Sequence, residues 1–499
     1  MENLSNLMYG LSLACQPMNL LYCTLGVLIG TLIGVLPGIG PNSAISLLLP
    51  FTFNIPPVSA IIMLAGIFYG AMYGGSTTSI LVNIPGEASS VVTCLDGYQM
   101  ARKGRAGPAL GISAFGSFIA GTFGIVMLMF MAPTLSGWAL RFGPPEYCSL
   151  MVMSLCLITF LAQGSMIKAL IMAAFGLFLG TVGMDPQTAK IRFAYDINYL
   201  TDGIPLVPVV MGLFGISEVL VNLGENIERS VLESKIKGLF PNLQDWKDSA
   251  FPIIRGSIIG FFMGLIPGIG VATPTFVAYG IEKKLSKHPE LFGTGIIEGV
   301  ASPEACNNGT ASGLFIPLLS MGIPGSSAMA ILLAALIILG LEPGPLLIKN
   351  HPDVFWGVVA SMYLGNVLLL IINLPLIPLW VKILKIPYYL LFSLILLFCI
   401  IGAYTLNNNA SDVVVMICFG GVGYLLRRYG YEIPPLILAF VLGPMFEMHL
   451  RRSLALSHGS FAIFLVRPIA AFFLITAFMI LIAPLILRSL TRKTPAQMR

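Results

Sequence analysis

Two stretches of this chain are near copies of one another: Gly26-Val-Leu-Ile-Gly-Thr-Leu-Ile-Gly-Val-Leu-Pro-Gly-Ile-Gly40 and Gly256-Ser-Ile-Ile-Gly-Phe-Phe-Met-Gly-Leu-Ile-Pro-Gly-Ile-Gly270. Eight of the fifteen positions are identical, and Pro37 and Pro267 lie 230 residues apart. In each copy, small residues mark one face of an apolar helix, which Pro-Gly then interrupts. In lipid, an interrupted helix leaves amide and carbonyl groups without partners. Only protein, water or a bound solute can satisfy them there. Matched interruptions in two halves of one chain point to the binding site of a secondary transporter.

Composition agrees with a membrane setting. The chain has 499 residues, of which 57% are hydrophobic and only 10% charged, whereas soluble domains carry about 25% charged residues. Apolar runs long enough to span a bilayer fill residues 18 to 489. The expected fold is an all-α polytopic membrane protein with about 11–13 membrane elements, broken helices and re-entrant hairpins among them. The net charge of +5 is spread over loops and forms no nucleic-acid patch. No Lys or Arg precedes Arg102, so the first apolar segment is expected to be retained rather than cleaved as a signal. Arg102, Lys103 and Arg105 mark a cytoplasmic loop, and Arg488, Arg492, Lys493 and Arg499 a cytoplasmic C-terminus, with the N-terminus expected outside. Eight cysteines without a CxxC pair and four histidines without HExxH spacing give no metal-catalytic motif and imply no cofactor.

The duplication continues beyond its opening motif. Gly75–Ser79 followed by Asn83-Ile-Pro-Gly86 is matched by Gly309–Gly313 followed by Gly322-Ile-Pro-Gly325, and Ile204–Glu218 by Ile433–Glu447. The expected organisation is an N-terminal segment 1–17, membrane repeat one 18–224, a polar amphipathic linker 225–251, membrane repeat two 252–450, and an additional C-terminal membrane helix with a basic tail 451–499. The Arg102–Arg105 loop is basic, while the matching stretch Gly340–Pro345 has no positive charge before Lys349. That contrast favours inverted repeats. The loops at Arg192 and at Arg427–Arg428 are both basic and pull the other way.

Helices restarting after the breaks would present free N–H groups at a positive dipole end, suited to an anion. The substrate-binding candidates at the breaks are therefore Gly38, Gly40, Asn42 and Ser43 in one half, with Gly268, Gly270 and Thr273 in the other. The polar clusters add Ser76, Thr77, Thr78, Asn83 and Gly86, then Asn308, Gly309, Thr310, Gly325, Ser326 and Ser327. For any single hydroxyl or Pro-Gly, helix packing or a simple kink is an equal or better reading; duplication tips the balance. Seven acids fall in apolar surroundings, namely Glu87, Asp96, Asp185, Glu218, Glu298, Glu304 and Glu447, where an unpaired carboxylate is costly. Glu304, with Asn307 and Ser302, is the candidate cation-coupling group, holding Na⁺ or a proton. Its alternative role is to cap a helix beginning after Pro303. Glu218 and Glu447 read as interfacial or structural, and Lys168 as snorkelling. With no basic side chain among the candidates, an anionic substrate would need helix ends, hydroxyls and a bound cation.

These residues resemble the large membrane subunit of the tripartite tricarboxylate transporters, the TctA family. The resemblance is carried by the paired Pro-Gly-Ile-Gly motifs, Tyr69–Thr78, Ile84–Gly86, Ala301–Gly309 and Met321–Gly325. It implies a multi-pass permease of the bacterial inner (cytoplasmic) membrane that works with a small membrane subunit and a periplasmic solute-binding protein. It also implies cation-driven uptake of citrate or another carboxylate, with Na⁺ a possible coupling ion and no other metal or cofactor. No P-loop motif is present, consistent with transport not driven by ATP. Looser similarity to other binding-protein-dependent transporters suggests an elevator-type movement. Two rivals remain: a channel or exporter for organic anions built on the same broken helices, and a membrane enzyme acting on lipid. The enzyme would need clustered metal-binding acids or a nucleophile constellation, which the scattered Asp, Glu and His do not supply.

Overall fold

The computed structural model describes residues 2–36, 40–162, 165–185, 187–223, 238–384 and 388–491. The elements run α1 (Glu2–Ala14), α2 (Pro17–Val35), α3 (Pro41–Leu48), α4 (Pro57–Val82), α5 (Val91–Arg102), α6 (Ala106–Ala139), α7 (Pro144–Leu161), α8 (Met166–Leu179), α9 (Leu206–Val210), a π-turn segment (Met211–Ile216), α10 (Ser217–Leu223) and α11 (Leu243–Gly264). They continue with α12 (Ala272–Leu285), α13 (Glu298–Met321), α14 (Ser327–Ile338), α15 (Pro345–Asn350), α16 (Pro352–Asn373), α17 (Ile377–Ile383), α18 (Tyr388–Asn407), α19 (Ala410–Arg428), α20 (Pro434–Leu456), α21 (Ile463–Val466) and α22 (Pro468–Thr491). A small antiparallel pair, β1 (Gly183–Met184) with β2 (Ile191–Arg192), is the sheet among the described residues. Proline opens α2, α4, α16 and α20, where its missing N–H would be unpaired in any case.

Seven described helices are long and apolar enough to cross a membrane: α2, α4, α6, the run Leu206–Leu223, α16, Leu390–Asn407 and α19. Shorter apolar helices lie at Pro144–Phe160, Met166–Leu179, Ser327–Ile338 and Pro468–Ile482. The protein is thus an all-α polytopic membrane protein. The chain divides into two compact units, Met1–Ala139 with Pro205–Arg428, and Leu140–Ile204 with Tyr429–Arg499.

The first unit is organised by two close helix pairs, α2 with α4 and α11 with α13. A Cβ at Gly26, Gly30 or Gly34 would lie 2.4, 2.5 or 2.3 Å from the carbonyl oxygen of Met63, Ile67 or Ala71. At Gly256, Gly260 and Gly264 the corresponding distances to the Ser302, Cys306 and Thr310 carbonyls are 2.2, 2.1 and 2.6 Å. Glycines answer from the other side as well: Gly70 and Gly74 press on α2, and Gly309 and Gly313 on α11. Only hydrogen fits at such positions, so two backbones meet along a small-residue stripe. α4 and α13 are buried almost throughout, and α6 and α16 complete the packing around them.

The second unit packs α20 against α7 and α8, and α22 against α7. Gly176 fits against the Leu436 carbonyl, where a Cβ would stand 2.1 Å away. Lys168 donates to the Tyr429 carbonyl at 2.6 Å and sits 4.9 Å from the Tyr431 ring centroid, so its ammonium is held by specific partners.

Two expectations shift. The helix carrying Glu304 begins at Glu298, not after Pro303, so Glu304 lies inside the helix and does not cap it. The linker's final stretch, 243–251, forms the first turns of α11, whose start is fixed by a reciprocal Asn242–Asp245 capping box. Residues 224–237, Gly38, and Arg492, Lys493 and Arg499 of the basic tail lie outside the described residues.

Candidate functional site

In the second half, α11 stops at Gly264 and α12 restarts at Ala272. Gly268 (φ +84°) and Gly270 (φ +67°) make the intervening turn possible. Both donate their N–H to the Gly325 carbonyl, at 3.0 and 3.2 Å. The Pro-Gly-Ile-Gly break is therefore stitched to the Ile-Pro-Gly break of the same half. Ser326 then caps α14, its hydroxyl accepting the Met329 N–H at 3.3 Å. In the first half, Thr78 donates to the Val35 carbonyl at 2.6 Å, at the end of α2, and a Cβ on Gly86 would fall 2.0 Å from the Gly34 carbonyl. α4 ends on Asn83 in a left-handed conformation (φ +60°).

The halves also meet each other in this unit. α3 packs against α14, and α12 packs against the turn Ala88–Ser90, where Thr275 donates to the Ser89 carbonyl at 3.2 Å. Each helix that restarts after a break thus leans on the Ile-Pro-Gly region of the opposite half.

Beside this junction, α13 presents Glu304, 1% exposed. Three hydroxyls from three helices donate to its carboxylate: Ser76 of α4 at 2.5 Å, Ser113 of α6 at 3.0 Å, and Thr93 of α5. One turn along α13, the Asn307 amide donates at 3.5 Å to Glu87, which also takes the Ser89 N–H at 2.7 Å and its hydroxyl at 2.5 Å. Cavities of about 10 and 20 Å³ flank Tyr73, the first lined by Ser76, Thr77, Ser113 and Asn373, the second by Asn308, Ser312 and Asn366. Each is about the size of one water. The Tyr73 hydroxyl donates to Asn366 at 2.6 Å.

Other acids are occupied structurally. Asp96 accepts the N–H groups of Gly293, Gly295 and Ile296 and the Tyr279 hydroxyl. Glu218 pairs with Arg427, and Glu447 with Arg192 and Arg451. Asp185 faces Arg451 at 2.9 Å. Asp185, Arg192, Glu447 and Arg451 line a cavity of about 290 Å³ in the second unit. Glu298 stands in the first turn of α13, where a negative charge suits the helix dipole.

Of the candidates, the structure brings Gly268, Gly270 and Gly325 together, and it gathers Ser76 with Glu304. Gly40 faces open space and Asn42 is half-buried. Ser43 is buried and donates to the Phe214 carbonyl at 3.0 Å. Thr77 and Ser327 are buried, Asn83 is exposed, and Thr273 is half-buried. Asn308, Thr310 and Ser302 are buried on α13; the first two bond to carbonyls one turn back, and the Ser302 hydroxyl has no partner. Gly309 faces α11. Thr93 and Ser113 lie outside the repeated motifs, on α5 and α6, and no pattern in the sequence ties them to Glu304. Glu87 stood out only as one buried acid among several.

The sequence matches the family model described as "Tripartite tricarboxylate transporter TctA family" across residues 20–438. It is 49% identical over 471 residues, 94% of each chain, to the "Uncharacterized 52.8 kDa protein in TAR-I ttuC' 3'region" of Agrobacterium vitis. It is 51% identical over 212 residues, 42% of this chain and 88% of the other, to the "Uncharacterized protein in TAR-II ttuC' 3'region" of the same organism. No solved structure matches.

Proposed function

Because the chain belongs to the tripartite tricarboxylate transporter TctA family, we propose that it is the large permease subunit of a secondary system that imports citrate or a related carboxylate by Na⁺ or proton symport. Its partners in this reading are a small membrane subunit and a periplasmic solute-binding protein, and its place is the bacterial inner membrane. The observation that carries the reading is the junction in the first unit, where interrupted helices from both halves meet beside Glu304. Interrupted backbone within a membrane protein is a device for holding a solute. Hydroxyls and helix ends suit an anion, and the carboxylates beside them suit the cation that travels with it.

The repeat reading is supported by reciprocal packing. The run α9–α10 packs on α18 and α19 in one unit, and α20 packs on α7 and α8 in the other. The last helix of each proposed repeat therefore rests on two helices of its counterpart. The ion pairs follow the same exchange, Glu218 with Arg427 and Glu447 with Arg192. We place the substrate between the break after α2, with Asn42, and the break after α11, with Gly268 and Gly270. An elevator-type displacement would carry it across.

The test is uptake by the chain reconstituted with its two partners, using a carboxylate panel under imposed Na⁺ and proton gradients. Gradient-driven, saturable accumulation is expected. A flux that ignores both gradients identifies a channel or exporter instead. Substituting Asn42, Thr78, Asn308 or Ser326 by Ala should depress uptake well below the level left by Ser257→Ala or Ser361→Ala. Those two control hydroxyls bond only within their own helices, to Ile253 and Val358. Equal effects in both groups would refute the site.

A further inference from the structure

Eight Asp or Glu side chains are buried among the described residues. Four of them face an arginine: Glu146 with Arg467, Asp185 with Arg451, Asp245 with Arg105, and Glu282 with Arg255. Asp96 is held by backbone N–H groups and a tyrosine, and Asp412 receives the Asn407 amide. Glu87 and Glu304 differ. Both are buried, and neither joins an ion pair among the described residues. They also flank the same stretch of α13. Ser76 reaches Glu304, while its neighbour Gly75 makes room for Glu87: a Cβ there would come within 2.9 Å of the Glu87 Cγ and 3.3 Å of its Oε1.

Asn307 follows Glu304 by three residues on α13 and reaches Glu87 in space. Its amide nitrogen approaches Glu87 Oε1 only at 3.5 Å, well beyond the roughly 2.7–2.9 Å of a charge-assisted hydrogen bond. Its Oδ1 is buried, on a side chain 1% exposed, and has no partner. A buried acceptor wants a donor or a cation, and the side chain that carries this one also approaches, through its amide nitrogen, a carboxylate that joins no ion pair among the described residues. Hard oxygen ligands of this type, a carboxylate and an amide carbonyl, suit a hard metal cation.

We propose that Glu87 and Asn307 bind one Na⁺ ion between the Ala88–Ser90 turn and α13, with Glu304 one turn away supplying a second negative charge. The site rests on the symport reading and deepens it. Because the first-half turn and the second-half helix each give one ligand, the ion would hold the two halves together at their junction. Glu87, rather than Ser302, is then the companion of Asn307. The Ser302 carbonyl abuts Gly256 of α11, on the side of α13 turned to that helix.

The test is thermal unfolding of the purified full chain in detergent, with NaCl against choline chloride at equal ionic strength. Na⁺ should raise the wild-type midpoint in a saturable way. Glu87→Gln and Asn307→Leu should abolish the shift or raise the half-saturating Na⁺ concentration about tenfold or more. Asn307→Asp, which keeps an oxygen at the site, should retain the shift. Should Glu87→Gln fail to fold, the contrast between the two Asn307 variants decides alone. The assignment is overturned if Na⁺ is no better than choline for the wild type, if both Asn307 variants respond like wild type, or if stabilisation follows pH and not Na⁺. The two readings separate cleanly. Na⁺-driven uptake together with an unchanged shift in Glu87→Gln sinks the site and spares symport. A shift lost in Glu87→Gln with uptake indifferent to Na⁺ spares the site and sinks Na⁺ symport.

Discussion

Glu304 draws its hydrogen bonds from positions 76, 93 and 113, on three different helices, so no local pattern in the sequence could announce them. What was legible was the acid itself, stranded in an apolar run beside Asn307 and Asn308. The hydroxyls that hold it were not, because a single Ser or Thr in a membrane helix usually bonds to its own backbone, as Thr310 and Ser320 do here. Replacing Thr93 by Val keeps the shape but removes one donor from a buried carboxylate. It should cost about 1–3 kcal/mol in unfolding, and Thr93→Ser should restore most of it. A Thr93→Val protein as stable as wild type would mean that the Glu304 cluster adds nothing to the fold. Outside the membrane spans, Asp185 offers a test by pH. The backbone N–H groups of Gln187 and Thr188, with Arg451, hold its carboxyl down at about 2. A depressed value stabilises the fold fully above the free-chain value of about 4 and is lost as pH falls towards 2. The protection factors of the Gln187 and Thr188 amides, exchange rates corrected for their intrinsic dependence on pH, should therefore fall across that acid window and stay constant from pH 5 upward.

At the scale of elements, the glycine spacing in Gly26–Gly34 and Gly256–Gly264 was readable at once, and so were the breaks that follow. The close approach to Met63, Ile67 and Ala71, or to Ser302, Cys306 and Thr310, is what that spacing requires once two helices pack. The π-turn at Met211–Ile216 was not readable. It leaves the Phe214 carbonyl to accept the Ser43 hydroxyl, and that partnership arises from packing rather than from any local residue preference. Substitution separates the two kinds of glycine. Gly260→Ala drives a methyl group into the Cys306 carbonyl and should destabilise by about 1–3 kcal/mol or more. Gly421→Ala on α19 meets nothing within 4 Å and should gain about 0.5–1 kcal/mol through helix propensity. Thermal midpoints moving in the same direction for both variants would contradict the stripe.

For the whole molecule, the matched offsets suggested two halves, and the ion pairs link segments from one proposed half to the other. Glu218 at the end of the first half finds Arg427 of the second, and Glu447 of the second finds Arg192 of the first. The acids were visible as an aligned pair and the arginines as basic loops, but nothing in the linear chain matched one to the other. A double-mutant cycle tests the pairing: Glu218→Gln and Arg427→Gln should be coupled by about 1 kcal/mol, because both side chains are partly shielded. The equivalent cycle at Glu447 and Arg192 should give a similar, smaller value, since Glu447 also has Arg451. Additive effects in both cycles would argue against these links. The stripes carry one more consequence. Where glycine lets main chain touch main chain, no side chain remains to flex or to change rotamer. Close main-chain contact of this kind resists sliding of α2 past α4, and of α11 past α13. Each couple is a single stiff beam, so whatever displacement turnover demands has to be taken up in the turns at its ends.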